Sequence, residues 1–415
     1  MKKRIFVALS SALFAPALIA AGIPANLLPA TQGDLVATRL TMEKSAALPT
    51  GIERAPVDFA WALEPSEPLS REAPYVADSR EFWTTLDAAQ LQKGYRFQTT
   101  APGALMRLSP ADGAKRAGLQ LSDLDLRMGG KKLDATRDIA VTVDAAQMKA
   151  AGVDFGEGTL VFRLAPEAGQ GPVQLMAKSA RGKYLLHVFE PDSPVSLTLG
   201  ADRDRALAGD TVTLKAQWND TGRASRPASL GGVLTSPQGL SIPINFNRAK
   251  GGHYEGTVQL PADAGDGLAL WEVHTFAVGN GKSGAIPRDA KTSLSVSRPT
   301  ARLSGEVGTV QAKSGRVAVS LPLDVGAEGR YELRGVLYGS AKDGSMQPFA
   351  IAHSARWLEP GKGAAITLDF GDLAAKSGLA APYELRDLSL NDQARMGLLE
   401  TRARALRIEA DAAVR

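Results

Sequence analysis

Apolar and polar residues alternate along most of the chain after residue 94, and this alternation predicts β-strands. The clearest run is TVTLKAQWN, in which every second residue is apolar: Val212, Leu214, Ala216 and Trp218. Because successive side chains of a strand point to opposite faces, the pattern is typical of a half-buried antiparallel strand. Similar runs follow in LSIPINF, HYEGTVQL, LALWEVHTFAV and TSLSVS. Their spacing is that of a β-sandwich.

Two further groups of strand-like runs lie on either side of this one. The earlier group contains YRFQT, TLVFRL and KYLLHVF, with a hairpin turn predicted at Gly129-Gly130 of RMGGKKL. The later group contains RVAVSLPLDV, YELRGVLYGS, FAIAHSARWL, AAITLDF and YELRDLSL. The last stretch, from Arg395 to Ala410, fits either a helix or a bulged final strand. The chain is predicted to be all-β.

Turn-rich segments divide the chain into domains. EPDSP ends the first group of strands, and Ser297-Arg298-Pro299 ends the second. A chain of 415 residues suits about three separate cores. We predict a signal peptide over residues 1–22, a linker over 23–54, an N-terminal β-sandwich domain over 55–192, and two more β-sandwich domains over 193–298 and 299–415. The proline-rich start of the first of these is expected to lie extended along that domain.

The first 25 residues, MKKRIFVALSSALFAPALIAAGIPA, are typical of a cleaved secretory signal peptide. They predict a protein exported to the periplasm or beyond the cell, with no transmembrane segment in the mature chain. Taking away Lys2, Lys3 and Arg4 leaves 45 of the 48 basic residues against 44 acidic ones, so no basic stripe for nucleic acid is expected. The chain has no cysteine, which excludes disulfides, thiolate metal sites and a lipid-anchored cysteine.

Two fragments resemble catalytic motifs, and both are predicted to be structural. In AAITLDFG the three letters D-F-G lie where a strand ends, and the other kinase motifs are missing. GNGKSG, residues 279–284, has the letters of a dinucleotide fingerprint. The fingerprint requires a helix after the glycines, but a segment with Pro287 and strand-like alternation follows. We therefore predict a strand end and a hairpin loop.

Histidine and carboxylate spacing predicts no assembled metal or catalytic site. The four histidines are far apart: His187, His253, His274 and His353. We expect them to be hydrogen-bonded structural residues. Acidic turns, including Asp202, Asp204, Asp210, Asp263, Asp266, Asp369, Asp372 and Asp392, leave calcium binding as an alternative to solvated loops, although no complete ligand series is present. No cofactor is predicted.

One segment, MQPFAIAHSARWLEPGKG, is rich in residue types of binding hot spots. Its candidate partner-binding residues are Phe349, His353, Arg356 and Trp357. However, Ile351, His353, Ala355 and Trp357 alternate along the strand, and this favours a core position for Trp357.

Several longer segments carry a resemblance to known proteins. PLDVGAEGRYELRGVLYGSAKDG and WLEPGKGAAITLDFGDLAAKSGLAAPYELRDLSL resemble a β-sandwich module of exported bacterial proteins, and HYEGTVQLPADAGDGLALWEVHTFAVGNGKSGAIPRDAKTSLSV is similar to bacterial immunoglobulin-like domains. With GYRFQTTAPGALMRLSP, the arrangement resembles an uncharacterised family of secreted proteobacterial proteins with a domain of unknown function. The resemblance implies export and two immunoglobulin-like domains at the C-terminal end, and it implies no catalytic residue.

These observations predict a non-enzymatic exported protein that binds or scaffolds a protein or glycan partner. The alternative is a hydrolase, or a hydrolase accessory protein, with its site in the N-terminal domain. The candidates for that site are Asp87, Asp123, Asp125, Asp134 and His187. Convergence of His187 with two carboxylates in one cleft would favour the alternative.

Overall fold

The computed structural model describes residues 26–42, 48, 50–67, 69, 73–111, 118–153, 156–221, 226–265, 269–410 and 413–414. The predicted signal peptide lies outside these residues. The fold is all-β, with 56% of the chain in strands and 6% in helices. Buried apolar side chains form three large clusters, one for each group of strands in the sequence. The predicted domain boundaries stay predictions.

The first core lies between two antiparallel layers of strands, one of five strands and one of four. Its alternating runs bury Phe97, Phe162 and Leu186. Gly129 and Gly130 form the predicted turn, with φ values of 56° and 84° that suit glycine. The elements up to residue 189 are β1 (Val57–Ala62), β2 (Val76–Ser79), β3 (Glu81–Asp87), α1 (Ala88–Lys93), β4 (Tyr95–Gln98), β5 (Leu105–Pro110), a 3₁₀ turn (Leu121–Asp123), β6 (Asp125–Met128), β7 (Lys131–Lys132), β8 (Ile139–Asp144), α2 (Ala145–Ala150), β9 (Leu160–Leu164), a 3₁₀ turn (Pro166–Ala168), β10 (Pro172–Met176) and β11 (Lys183–Phe189).

The second core is built from the strands between residues 195 and 297. The run TVTLKAQWN lies in one strand and buries its four apolar side chains, as predicted. GNGKSG forms the connection between two antiparallel strands, so the prediction of a hairpin loop is confirmed. The strands are β12 (Val195–Ala201), β13 (Arg205–Leu207), β14 (Thr211–Asp220), β15 (Pro227–Thr235), β16 (Ser241–Arg248), β17 (Tyr254–Gln259), β18 (Trp271–Asn280) and β19 (Ala285–Ser297).

The third core lies between two five-stranded sheets. DFG is a strand end, as predicted: Phe370 is buried, Asp369 is exposed, and Gly371 opens the turn with φ 56°. The stretch from Arg395 to Ala410 forms a bulged strand rather than a helix. The elements are β20 (Ala301–Leu303), β21 (Val310–Lys313), β22 (Arg316–Val325), β23 (Gly329–Ser340), β24 (Met346–Leu358), β25 (Gly361–Asp369), α3 (Leu373–Ser377), β26 (Ala380–Asp392), β27 (Gly397–Ile408) and β28 (Ala413–Val414).

The N-terminal segment lies against the third core, and the expectation that it lies along the first domain is wrong for β1. β1 pairs antiparallel with β24, from Val57 opposite Ala355 to Ala62 opposite Ala350. Leu27, from the predicted linker, is buried in the third core. The sheet order β1-β24-β23-β26-β27 therefore includes a strand that precedes the first core in sequence. The proline pattern alone could not identify which sheet the segment joins.

A buried ion pair joins the first and second cores. Arg288 on β19 and Glu190 after β11 have fully buried side chains, with 3.2 Å between Nη2 and Oε1. The Arg288 guanidinium also donates to Thr100 Oγ1 and Ser193 Oγ, at 2.8 and 2.9 Å. In addition, β3 and β19 meet at the pair Glu81 and Asp289, which makes one sheet run through both cores.

Replacing Arg288 by leucine should lower the free energy of unfolding by about 3–5 kcal/mol, because the Glu190 carboxylate is left charged and buried. The change is measured by urea unfolding. The control is Arg203→Leu, which removes an ion pair with Asp202 that is about one-third exposed, and it should cost at most about 1 kcal/mol. Equal effects of the two substitutions would contradict the assigned role of the buried pair.

Candidate binding surface

The outer face of the sheet β1-β24-β23-β26-β27 carries one row of side chains across all five strands. Phe59 is paired with His353, His353 with Arg334, Arg334 with Ser389, and Ser389 with Thr401. Neighbouring residues on these strands, including Ala60, Ala352, Leu333 and Leu390, pack on the third core from the other face, so the side chains of the row point outward. Since adjacent strands lie about 4.8 Å apart, the row is roughly 19 Å long.

An aromatic cluster of Phe59, Trp61 and His353 forms one end of this row. The ring centroids lie 4.9 Å apart for Phe59 and His353, 5.2 Å for Trp61 and His353, and 5.5 Å for Phe59 and Trp61. The planes are parallel to within 14°, which is the geometry of offset stacking. Phe59 is 47% and Trp61 45% exposed, so the cluster remains open to solvent.

The imidazole of His353 is fixed by a carboxylate on the neighbouring strand. Its Nδ1 lies 2.7 Å from Glu332 Oε1. The other oxygen of Glu332 accepts hydrogen bonds from the side-chain amides of Asn391 and Gln393, at 3.5 and 3.2 Å. These contacts hold the ring in one orientation, so that Phe59 and Trp61 have a rigid partner to stack on.

A cleft of about 600 Å³ follows the row beyond the aromatic cluster. It lies between the outer face of the sheet, the start of β13 and the N-terminal segment. Arg334 and Arg205 line it, and neither side chain forms an ion pair or hydrogen bond within the described part of the chain. Free guanidinium groups retain all their donors for a ligand. The remaining lining residues are Gly33, Leu35, Leu69, Arg203, Asp204, Val336, Ile351, Asp387, Leu388, Ser389, Asn391, Leu398 and Thr401.

The four predicted partner-binding residues do not share one surface. Phe349 is 1% exposed and packs in the third core beside Tyr383, so it is unavailable to a partner. His353 belongs to the aromatic cluster. Arg356 is held by an ion pair to Asp58 of β1, with 2.8 Å between Nη2 and Oδ2. Of the four residues, His353 is therefore the one that lies in the aromatic cluster, and their role in partner binding stays a prediction.

Trp357 is not a core residue, and the expectation that it fills the sandwich is wrong. Its indole is partly exposed and donates a hydrogen bond from Nε1 to Glu328 at 2.9 Å. The guanidinium of Arg54 lies 4.0 Å from the ring centroid. On β24 the residues that reach the core include Ala350 and Ala352. The alternation of the run was correct, but the larger residues belong to the opposite face.

The candidates for a hydrolase site do not converge. His187 bonds to Glu81, with 2.6 Å between Nε2 and Oε2. The four aspartates have separate structural contacts: Asp87 caps α1, Asp123 accepts from the Gln120 amide, Asp125 pairs with Arg127, and Asp134 accepts from the amides of Thr136 and Arg137. No cleft brings His187 together with two of these carboxylates in the described residues.

The histidines are hydrogen-bonded structural residues, as predicted. Each lies within 3.1 Å of a carboxylate oxygen: His187 of Glu81, His253 of Glu255, His274 of Asp289 and His353 of Glu332. No group of three His, Cys, Asp or Glu side chains suited to a metal ion occurs among the residues that the structure describes.

Sequence reasoning missed Phe59 and Trp61, which are the most exposed members of the aromatic cluster. The signal was present in VDFAWA, where Val57, Phe59 and Trp61 alternate with small or acidic residues. Four prolines in the surrounding segment indicated irregular chain and hid a strand of six residues. Arg334 gave no distinguishing signal, since an arginine on the outer face of a strand is common.

Asp58 fastens β1 to β24, and its titration should control that attachment. Burial acts to raise the pKa of Asp58, but hydrogen bonds from Arg356 and Ser354 outweigh it and lower the pKa below the usual 3.8. A group with a lowered pKa stabilises the fold above its unfolded pKa, and this contribution is lost as the pH falls through the folded value. The attachment is therefore complete at neutral pH.

Asp58→Asn should accelerate amide hydrogen exchange at neutral pH in the odd-numbered residues of β1, whose amides bond to β24, by the equivalent of about 0.2–1 kcal/mol for a partly exposed pair. In the unchanged protein the same acceleration should appear only as the pH falls below 3.8, the usual aspartate value. Asp369→Asn is the control, because that carboxylate faces Arg316 at 4.0 Å on an exposed surface. Exchange in β1 that is indifferent to Asp58 would contradict this role.

Comparisons with known proteins identify the family. The family model described as "Domain of unknown function (DUF4785) N-terminal domain" matches residues 49–190, and that of the DUF4785 C-terminal domain matches residues 300–409. Curated protein sequences give no match.

Among the described residues, no helix is both long and apolar enough to span a membrane.

Solved structures show the same fold in a relative. The crystal structure of a DUF4785 family protein from Legionella pneumophila is similar with a TM-score of 0.72 and 20% identity, over 91% of this chain and 99% of that one. Trypsin-activated alpha-2-macroglobulin from Escherichia coli has a TM-score of 0.20 and 14% identity, over 77% of this chain and 22% of that one. A mutant of the Salmonella alpha-2-macroglobulin has a TM-score of 0.22 and 11% identity, over 84% of this chain and 24% of that one. The chain carries the N-terminal and the C-terminal domain of the DUF4785 family.

Proposed function

We propose that this is an exported, non-enzymatic protein that binds or scaffolds a protein or glycan partner through the outer face of its C-terminal sheet. The observation that carries the proposal is the aromatic cluster, in which Phe59 and Trp61 remain nearly half exposed. Large exposed aromatic side chains beside an arginine are the residue types that dominate binding energy at interfaces.

The chemistry of the row suits either class of partner. The π faces of Phe59 and Trp61 carry partial negative charge, which attracts the partly positive C–H groups of a sugar ring or of an aliphatic side chain. Arg334 and Ser389 add hydrogen-bonding groups further along the row. A partner that lies across the strands meets the aromatic end first and the polar cleft second.

Two finer features belong to the same proposal. The leader sequence supports export to the periplasm or the cell exterior. The long antiparallel strands over 193–298 and 299–415 support immunoglobulin-like domains in both regions.

The binding surface is tested by capturing partners from the exported fraction of the host on immobilised protein. Trp61→Ala should weaken capture by about 30-fold, as expected for a hot-spot residue worth 2 kcal/mol or more. Arg334→Ala, which leaves β1 untouched, should weaken it as well.

Phe276→Ala is the matched control, because Phe276 is also 47% exposed but lies on β18. That variant should capture the partner as the unchanged protein does. Equal capture by all variants would reject the surface, and release of a hydrolysed product on incubation would favour an enzyme.

Export is tested by expressing the full sequence in a Gram-negative host and fractionating the cells. The protein should appear outside the cytoplasm, with a new N-terminus near residue 23. A chain without residues 1–22 should stay in the cytoplasm. An uncleaved Met1 in the exported fraction would indicate an anchored protein instead.

A further inference from the structure

The two edge strands of the sheet β1-β24-β23-β26-β27 differ in whether another segment forms backbone hydrogen bonds with them. The edge at β27 is covered by the N-terminal segment: the Leu28 amide donates to Ala405 O and the Thr401 amide to Leu35 O, both at 2.8 Å. The edge at β1 has no hydrogen-bonded neighbour among the described residues. One edge of the same sheet is thus closed and the other open.

The open edge lacks the features that usually prevent strands from pairing. β1 contains no lysine, no proline and no bulge, and its six residues pair with β24 without a register shift. Its one charge, on Asp58, is engaged by Arg356. Native proteins protect exposed edges with such features, since an unprotected edge is a template for another strand.

The backbone groups that face the open side can be identified. The Leu63 amide donates to Phe349 O at 2.8 Å, so the odd-numbered residues of β1 exchange hydrogen bonds with β24. In an antiparallel pair these groups alternate along the strand. The amides and carbonyls of Asp58, Ala60 and Ala62 therefore point away from β24 and are free to pair.

We propose that β1 is a homodimerisation edge, at which the β1 strands of two copies of this chain pair antiparallel around a two-fold axis at Ala60. The free backbone groups belong to even-numbered residues, so even residues must pair with even ones. Centring on Ala60 places Asp58 opposite Ala62 and makes six backbone hydrogen bonds. Moving the two-fold axis to Phe59 places Phe59 opposite itself and makes fewer backbone hydrogen bonds. Moving it to Asp58 places Asp58 opposite Asp58, where like charges repel.

The side chains in this register are self-complementary. Phe59 of one copy lies opposite Trp61 of the other, twice, as non-hydrogen-bonded pairs whose Cα atoms are about 4.5 Å apart. Aromatic cross-strand pairs of this kind stabilise antiparallel sheets. The pairing covers only the sides of Phe59 and Trp61 that face the edge, and it leaves the outer face of the sheet accessible. The inference does not depend on the proposed function.

The first test is the oligomeric state of the purified protein by sedimentation at increasing concentration. The unchanged protein should form dimers that dissociate on dilution. Ala62→Pro removes an amide that faces the open edge without removing a bond to β24, so this variant should be monomeric. Ala62→Ser keeps the amide and should dimerise normally. Both variants should keep the melting temperature of the unchanged protein, because Ala62 is exposed.

The second test fixes the register, and it is simple because the chain has no cysteine. A mixture of Phe59→Cys and Trp61→Cys proteins should form a disulfide between unlike copies on oxidation. Each variant alone should cross-link far less, since its cysteine faces an aromatic residue. A monomer at all concentrations, a dimer that survives Ala62→Pro, or cross-linking without preference for the mixture would overturn the proposal. A monomer that instead captures a foreign chain would assign the edge to a different partner.

Discussion

The antiparallel pairing of β1 with β24 is the interaction on which the candidate surface depends. It alone brings Phe59 and Trp61 to His353, which lies 292 to 294 positions further along the chain in the register of the two strands. Little apolar burial supports it, since Ala60 is the residue of β1 that packs on the core. The attachment relies instead on backbone hydrogen bonds, worth about 1 kcal/mol each, on the contacts of Asp58, and on ring stacking.

The chain from residue 26 to residue 87 contacts the third core first, then the second and then the first, which is the reverse of their order in sequence. Residues 26–41 and β1 contact the third core, β2 then pairs with β12 of the second, and the first core begins with β3. The second and third cores thus each hold a strand or segment that comes from before residue 80. Together with the buried pair of Arg288 and Glu190, this arrangement couples the stability of regions that are remote in sequence.

Local alternation predicted most of the strands and the all-β class. Each strand shows its own alternation of apolar and polar residues, which can be recognised without knowing its partner strand. TVTLKAQWN and ITLDFG illustrate this: their inward and outward faces are those expected. The partner of β1 could not be predicted in the same way. The entropy cost of closing a loop rises only slowly with loop length. It therefore does not favour a nearby strand over β24, where Arg356 lies 298 residues from Asp58. Trp357 shows the other limit, since alternation reveals two faces but not which of them is buried.

The face and the edge of β1 can serve separate partners because their groups point in perpendicular directions. Side chains of Phe59 and Trp61 stand out from the sheet, whereas the free amides and carbonyls lie within its plane. Pairing two copies at the edge would place two aromatic clusters next to each other on one continuous face. A partner with repeated units could then contact both, and the second contact would be intramolecular, so that modest affinity at each cluster would yield strong binding overall. An open edge beside an exposed aromatic face is a liability for an isolated copy, and it becomes an advantage only where two copies meet.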